Sequence, residues 1–151
     1  LDASEIVGLK TMIEDMGFTT YVDWIEDKQL NRSKVNRETA EVLRKRMSCC
    51  KSLFFVTSEN SQSSKWMPWE LGYFDALKEK VAILPVLEYS KITNEYIGQE
   101  YLGLYPYITK ARIEGTDIIT LWVQEDRDTY CTFQEWLEGK HPFKHSKADY
   151  E

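Results

Sequence analysis

Several features that would assign this chain to a class of protein are scarce or missing. Only three cysteines occur in 151 residues, and Cys49 and Cys50 are adjacent, so the sequence predicts neither a disulfide framework nor a cysteine-based metal site. No apolar run approaches the ~20 residues that a membrane-spanning helix needs, and no signal peptide is recognisable at the amino end. These absences favour a reducing cytoplasm.

A positive net charge is also absent. The formal net charge is -6 and the isoelectric point is near 5.1, which argues against electrostatic capture of nucleic acid or of an anionic membrane. The chain has no internal repeat or linker, so we expect residues 1–151 to form one domain with a polar tail from residue 141. His141 and His145 lie in that tail without other ligands at useful spacing, so no metal site is predicted.

Helical and strand patterns alternate along the chain. Apolar spacing predicts helices near residues 6–16, 35–50, 65–80 and 132–139, with a short helix within 94–104. Apolar or β-branched runs predict strands at residues 18–24, 52–56, 81–86, 107–113 and 118–123. Residues 25–34 are polar and aperiodic, which predicts a surface loop. The alternation favours an α/β fold with a parallel sheet and helices on both faces.

The segment from Trp66 to Phe74 (WMPWELGYF) is the clearest indication of a functional site. It follows an apolar strand and a polar loop, as do sites at the carboxyl ends of strands in α/β sheets. On a helix, Trp66, Glu70 and Tyr73 share one face, so a carboxylate interrupts an aromatic stripe. Loss of hydration there would raise the pKa of Glu70 and favour a cationic or polar ligand. The alternative, with about equal weight, is that Glu70 complements the helix dipole and the tryptophans are core residues.

This segment resembles the third strand and following helix of TIR (Toll/interleukin receptor) domains. The shared features are an aliphatic strand, S-x-x-S-x-W over residues 61–66, and a glutamate four residues after the tryptophan. The bacterial form often reads W-x-x-W-E-L-G-Y, as residues 66–73 do. YVDW at 21–24 and the loop after it resemble the family's second strand and BB loop, and VAILPV at 81–86 resembles the fourth strand. The resemblance is good over about residues 1–90 and loose over 91–140.

The resemblance implies a flavodoxin-like fold and an enzyme that cleaves the nicotinamide–ribose bond of NAD+, with NAD+ as substrate and no cofactor. Glu70 matches the family's single catalytic glutamate, and Trp66 matches a tryptophan of the nucleotide pocket. Trp69 and Tyr73 are further candidates for shaping that pocket. The implied biology is a nucleotide signal or NAD+ depletion in bacterial defence against phage, with a downstream effector and homotypic self-association.

Other candidates lie in and before the predicted BB loop. Asp23 and Trp24 end the predicted second strand on the same edge as Glu70, so they are candidates for substrate contact, or else a loop-capping aspartate and a packing tryptophan. The loop also carries basic residues that could meet a pyrophosphate, mediate self-assembly or simply be solvated. These are Lys28, Arg32 and Lys34.

One part of the family pattern has no counterpart in the sequence. TIR domains begin with a central strand that contributes substrate-binding residues, whereas residues 1–3 here already continue into a helical pattern, and we expect an upstream segment outside this chain. Two alternatives to the enzyme remain open. One is a TIR domain that only assembles with other TIR domains, and the other is a nucleotide-binding α/β protein that shares the layout.

Overall fold

The computed structural model describes residues 3–30, 32–57, 66–86 and 100–145. The helices in these ranges are α1 (Ala3–Asp15), α2 (Asp23–Glu26), α3 (Arg37–Cys49), α4 (Met67–Lys78) and α5 (Phe133–Leu137), with a 3₁₀ helix at Glu100–Leu104. The strands are β1 (Leu53–Thr57), β2 (Val81–Pro85), β3 (Tyr107–Arg112), β4 (Ile119–Gln124), β5 (Thr129–Thr132) and β6 (Phe143–Lys144). The chain divides into two compact units, a helical unit with α1 to α4 and a sheet unit with the strands and α5.

The helices of the helical unit begin and end where local signals favour it. Asn36 precedes α3, and its side-chain oxygen accepts a hydrogen bond from the Thr39 amide at 2.8 Å, which satisfies a free donor of the first turn. Pro68 lies in the first turn of α4, where its missing amide hydrogen costs no helical bond. The buried apolar residues of this unit are Ile13, Leu43, Met47, Trp66, Leu71 and Phe74.

The strand predicted at 18–24 is wrong. Residues 18–22 have no strand conformation, and Asp23–Glu26 form the short helix α2. A β-rich sequence becomes a strand only beside a hydrogen-bonded neighbour, and none of the six strands pairs with this segment. Instead, the Lys10 ammonium donates to the Thr20 carbonyl at 3.3 Å and to its hydroxyl at 3.1 Å.

A buried carboxylate fixes the segment between α2 and α3. Asp27 is 4% exposed and accepts hydrogen bonds from the Tyr21 hydroxyl at 2.7 Å and from two guanidinium nitrogens of Arg46 at 2.8 Å each. The Arg46 guanidinium also lies 5.6 Å from the centre of the Tyr21 ring. The hydrogen bonds from Arg46 and then Tyr21 lower the pKa of Asp27 to about 2. These contacts tie the chain before α3 to the helix itself.

The sheet unit contains a mixed six-stranded sheet in the order β1-β2-β3-β4-β5-β6. β2 and β3 are parallel, with Ile83 opposite Tyr107, and β3 to β6 are antiparallel neighbours. The turn between β3 and β4 has Gly115 at φ +73°, a conformation that favours glycine. The α/β, flavodoxin-like TIR fold is therefore confirmed, but the sheet is mixed rather than parallel as predicted, because β3 to β6 pair antiparallel. The sequence did not predict β5 and β6, which are short. Part of the predicted polar tail therefore belongs to the sheet, because β6 pairs with β5.

The remaining predicted elements agree with the structure to within a few residues at their ends. Of the short helix predicted within 94–104, residues 100–104 form the 3₁₀ helix and the others lie outside the described ranges. None of the helices in the described ranges has both the length and the apolar character that crossing a membrane requires.

Helix α5 begins with a reciprocal capping arrangement. The Thr132 hydroxyl oxygen accepts from the Glu135 amide at 3.3 Å, and the Glu135 carboxylate accepts from the Thr132 amide at 3.0 Å. This motif satisfies two free donors at once. It sets the start of a helix that buries Phe133 and Trp136 in the sheet unit.

We expect Thr132→Ala to destabilise the protein by about 1 kcal/mol, because the cap of α5 is lost. Chemical denaturation measures this free energy of unfolding. Thr132→Ser keeps the hydroxyl and is the matched control, with stability near the wild type. Equal stability of the alanine and serine variants would contradict the role given to the cap.

We expect Asp27→Asn to lower the melting temperature at neutral pH but not in strong acid. The pKa of Asp27 is about 2 in the folded protein against an ordinary value of 3.8, so its ionised form stabilises the fold above about pH 4 and this contribution is lost as pH falls towards 2. Thermal melts of both proteins across this range test the expectation. Asp15→Asn, at an exposed position, is the control. If the difference in melting temperature between the wild type and Asp27→Asn does not decrease in acid, the stabilising role of ionised Asp27 is contradicted.

Candidate active site

Glu70 lies in the first turn of α4, where the free amide groups of a helix favour a negative charge. Its amide donates to the Trp66 carbonyl at 2.8 Å, as expected at the start of a helix. The side chain is nevertheless only 16% exposed. The low exposure agrees with the loss of hydration predicted for this carboxylate. Its place in the first turn also agrees with the alternative, in which Glu70 complements the helix dipole.

Both oxygens of Glu70 accept hydrogen bonds from one guanidinium group. Arg32, between α2 and α3, donates from Nη1 to Oε1 at 3.1 Å and from Nη2 to Oε2 at 2.9 Å. Its Nη1 also donates to Oδ2 of Asp23 at 2.6 Å. The side chains of Arg32 and Asp23 are 26% and 14% exposed. Arg32 thus joins two largely buried carboxylates, one on α2 and one on α4, and we refer to these three residues as the ion triad.

Burial and ion pairing act in opposite directions on the triad. Burial raises the pKa of Glu70 above its usual value, and the hydrogen bonds and charge of Arg32 partly offset that rise. For Arg32, burial disfavours the charged form, but the hydrogen bonds to Glu70 and Asp23 outweigh it and raise the pKa. The triad thus combines two carboxyl groups with one guanidinium.

Trp66, the residue directly before α4, supports the triad through Arg32. It is 3% exposed, and its indole Nε1 donates to the backbone carbonyl of Arg32 at 3.0 Å. The sequence placed Trp66 and Glu70 on one helix face, and in the structure both contact the same arginine. Trp66 is therefore held in the core and fixes the main chain from which the Arg32 side chain extends.

Trp69 and Tyr73 form a separate aromatic stack. Their rings are 5.6 Å apart and nearly parallel at 15°, and Trp66 meets Trp69 edge-on at 5.5 Å. The guanidinium of Arg44 on α3 lies 5.4 Å from the Trp69 ring centre and 5.9 Å from that of Tyr73, a favourable cation–π arrangement. Both rings are half-buried between α3 and α4.

The other predicted candidates have different surroundings. Asp23 lies at the start of α2 rather than at a strand end and is engaged by Arg32, while Trp24 beside it is 42% exposed. Lys28 and Lys34 are exposed. A solvated position, one of the alternatives for the basic loop residues, is wrong for Arg32. Sequence reasoning missed its contact with Glu70, because an arginine in an aperiodic loop gives no signal of a partner 38 residues away.

The sheet unit has a hollow of about 370 Å³ whose lining includes Trp122, Tyr130 and His145. Its rings are already engaged with one another: Tyr130 and His145 stack at 3.9 Å and Trp122 meets Tyr130 edge-on at 5.5 Å. The one carboxylate in the lining, Glu114, is exposed. This hollow therefore lacks the buried acid that distinguishes the ion triad.

Comparison with known proteins identifies relatives. No family model matches the chain. It is 58% identical over 138 residues to a Bacillus cereus (strain MSX-D12) protein named probable 3′ cyclic ADP-D-ribose synthase ThsB′, which covers 91% of this chain and 71% of that protein. It is also 34% identical over 73 residues to a Cytobacillus dafuensis protein named putative cyclic ADP-D-ribose synthase TIR2, which covers 48% of this chain and 19% of that protein. On the strength of the first match, the chain belongs to the bacterial TIR-domain family of these proteins.

Proposed function

We propose that this protein is a TIR-type NAD+ nucleosidase or cyclase in which Glu70 is the catalytic residue. The observation that carries the proposal is a carboxylate only 16% exposed, at the position that matches the family's catalytic glutamate, in a chain 58% identical to a probable 3′ cyclic ADP-D-ribose synthase. A carboxylate kept out of water acts more strongly on a charge that develops beside it.

The chemistry of NAD+ cleavage suits a site with a single acid. The nicotinamide ring carries positive charge in NAD+ and leaves as a neutral molecule, so the leaving group needs no proton. Positive charge develops on the ribose as the bond breaks, as in glycoside hydrolysis. Ionised Glu70 would hold the ribose hydroxyls and stabilise that charge.

The residues around Glu70 would bind and orient the substrate. Trp24, 42% exposed, offers a ring face for stacking on a base or on nicotinamide. Asp23 and Trp66 would act through Arg32, which both of them contact. Trp69 and Tyr73 would shape the wall of the site through their mutual stack.

The second half of the reaction determines the product. Attack by water on the ribosyl cation gives ADP-ribose, whereas attack from within the same molecule gives a cyclic isomer. The names of both relatives favour cyclisation. We propose a cyclic ADP-ribose that serves as a nucleotide signal in bacterial defence against phage, sensed by a downstream effector in the cytoplasm, with self-association of the TIR domain as a condition for activity.

The second candidate function is a non-catalytic module that assembles through homotypic contacts. It is supported by large apolar side chains that the helical unit leaves in solvent near the predicted BB loop, Trp24 at 42% and Val35 at 69% exposed. Such residues are common at protein interfaces. The enzyme is the better supported of the two, because Glu70 stands at the position of the family's catalytic glutamate and both relatives are named as cyclic ADP-D-ribose synthases.

We expect Glu70→Gln to reduce nicotinamide release from NAD+ by about 100-fold or more, because the amide keeps the shape but not the charge of the carboxylate. Release is measured by chromatography with purified protein, and circular dichroism verifies the fold. Glu41→Gln, at an exposed position on α3, is the matched control and should retain full activity. Undiminished turnover by Glu70→Gln would contradict the catalytic assignment.

We expect the main product to be a cyclic isomer of ADP-ribose. Chromatography with mass spectrometry separates it from ADP-ribose, because the linear product contains the elements of one additional water molecule. Linear ADP-ribose as the sole product would leave the nucleosidase proposal intact and contradict the cyclase proposal. No nicotinamide release by the wild type, under conditions where it self-associates, would favour the non-catalytic module.

A further inference from the structure

We propose that Arg32 is a positioning residue for Glu70 and orients its carboxylate for the reaction. The inference rests on the proposed function of Glu70 and adds a residue to it. Arg32 would remain on the carboxylate during the reaction rather than leave to admit the substrate.

The geometry of the contact defines the orientation of the carboxylate. Two parallel hydrogen bonds, at 3.1 and 2.9 Å, join the two carboxylate oxygens of Glu70 to two nitrogens of one planar guanidinium. Such a pair of hydrogen bonds, which we call the fork, fixes the plane of the carboxylate as well as its position. A single hydrogen bond would leave the carboxylate free to rotate about its last bond. The fork therefore sets the direction in which the remaining acceptor sites point.

Arg32 is itself held at two points. Asp23 accepts from its Nη1 at 2.6 Å, and the Trp66 indole donates to its backbone carbonyl at 3.0 Å. One anchor acts on the side chain and the other on the main chain, so Arg32 is constrained before any substrate binds. Preorganisation of this kind is what catalytic groups require of the residues around them.

The contact leaves Glu70 able to bind the substrate. An ionised carboxylate has about four acceptor sites on its two oxygens, and the fork uses one on each oxygen. The others are the ones that ribose hydroxyls would use. The triad also has two carboxyl groups for one guanidinium, so the single positive charge of Arg32 can offset at most one carboxylate charge.

Arg32 also has a direct effect on ionisation. Burial raises the pKa of Glu70, and Arg32 opposes the rise, whereas the charge of Asp23 adds to it. These are the charged groups that act on Glu70 in the described part of the chain. Removal of Arg32 should therefore raise the pKa further, so that Glu70 ionises only at higher pH. The acidic limb of the pH–rate profile would move in the same direction.

The opposite hypothesis is that Arg32 blocks the carboxylate and must move away before NAD+ can bind. The two hypotheses differ in the sign of the effect on activity. If Arg32 positions Glu70, its removal slows the reaction. If Arg32 blocks Glu70, its removal speeds the reaction and lowers KM.

The test compares Arg32→Ala and Arg32→Lys with the wild type in nicotinamide release over a range of pH. We expect Arg32→Ala to lower kcat by about 100-fold near neutral pH, with a smaller change in KM and the acidic limb shifted to higher pH. Arg32→Lys keeps a positive charge but cannot form the fork. The acidic limb of its pH–rate profile should therefore lie closer to that of the wild type than its kcat does. Arg37→Ala, an exposed arginine on α3, is the matched control and should behave as the wild type.

A second measurement does not depend on activity. The pKa of Glu70 can be followed by carbon-13 NMR of its side-chain carboxyl, assigned from the signal lost in Glu70→Gln. We expect a higher value in Arg32→Ala than in the wild type, with circular dichroism showing that both are folded. If neither the wild type nor Arg37→Ala releases nicotinamide, the proposed function fails, and the titration still decides whether Arg32 acts on Glu70. Higher activity of Arg32→Ala than of the wild type would overturn the inference. So would an Arg32→Ala variant in which neither the pKa of Glu70 nor the acidic limb of the pH–rate profile has changed.

Discussion

The organisation of the helical unit depends on one guanidinium group placed between two largely buried carboxylates. Arg32 joins Glu70 on α4 to Asp23 on α2, with hydrogen bonds between 2.6 and 3.1 Å. Breaking a buried pair by removing one partner leaves an uncompensated charge, which is more costly than the pair itself is favourable. The segment that carries Arg32 must therefore be held in place, and the Trp66 indole and the buried contact of Asp27 with Arg46 both serve that purpose.

The aromatic residues of α4 serve different purposes, although the sequence presents them as a single stripe. Trp66 is buried and holds the main chain of Arg32. Trp69 and Tyr73 stack on each other, and the Arg44 guanidinium makes cation–π contacts with their rings. These rings together form a rigid support for the first turn of the helix, because each is fixed by a neighbour. A rigid support matters for the proposed chemistry, since electrostatic stabilisation needs groups that do not reorganise during the reaction.

Apolar periodicity and capping rules allowed the helices of this unit to be predicted from the sequence. The helical spacing in α1, α3 and α4 is local, Asn36 caps α3 as a sequence rule suggests, and the four-residue step from Trp66 to Glu70 places both on one face. Features that depend on distant partners were not readable. Residues 18–22 have the composition of a strand but are not paired in the sheet. Arg32 and Glu70 are in contact although they are 38 positions apart in the sequence. β6 has two residues, too few for any pattern.

The most direct test of the account is a crystal structure of the protein with a stable, uncleavable NAD+ analogue. In this complex we expect the hydroxyls of the nicotinamide-side ribose within hydrogen-bond distance of the Glu70 carboxylate, with both nitrogens of Arg32 still bonded to the same group. An analogue bound with its ribose away from Glu70, or one that binds only after Arg32 has left the carboxylate, would contradict it.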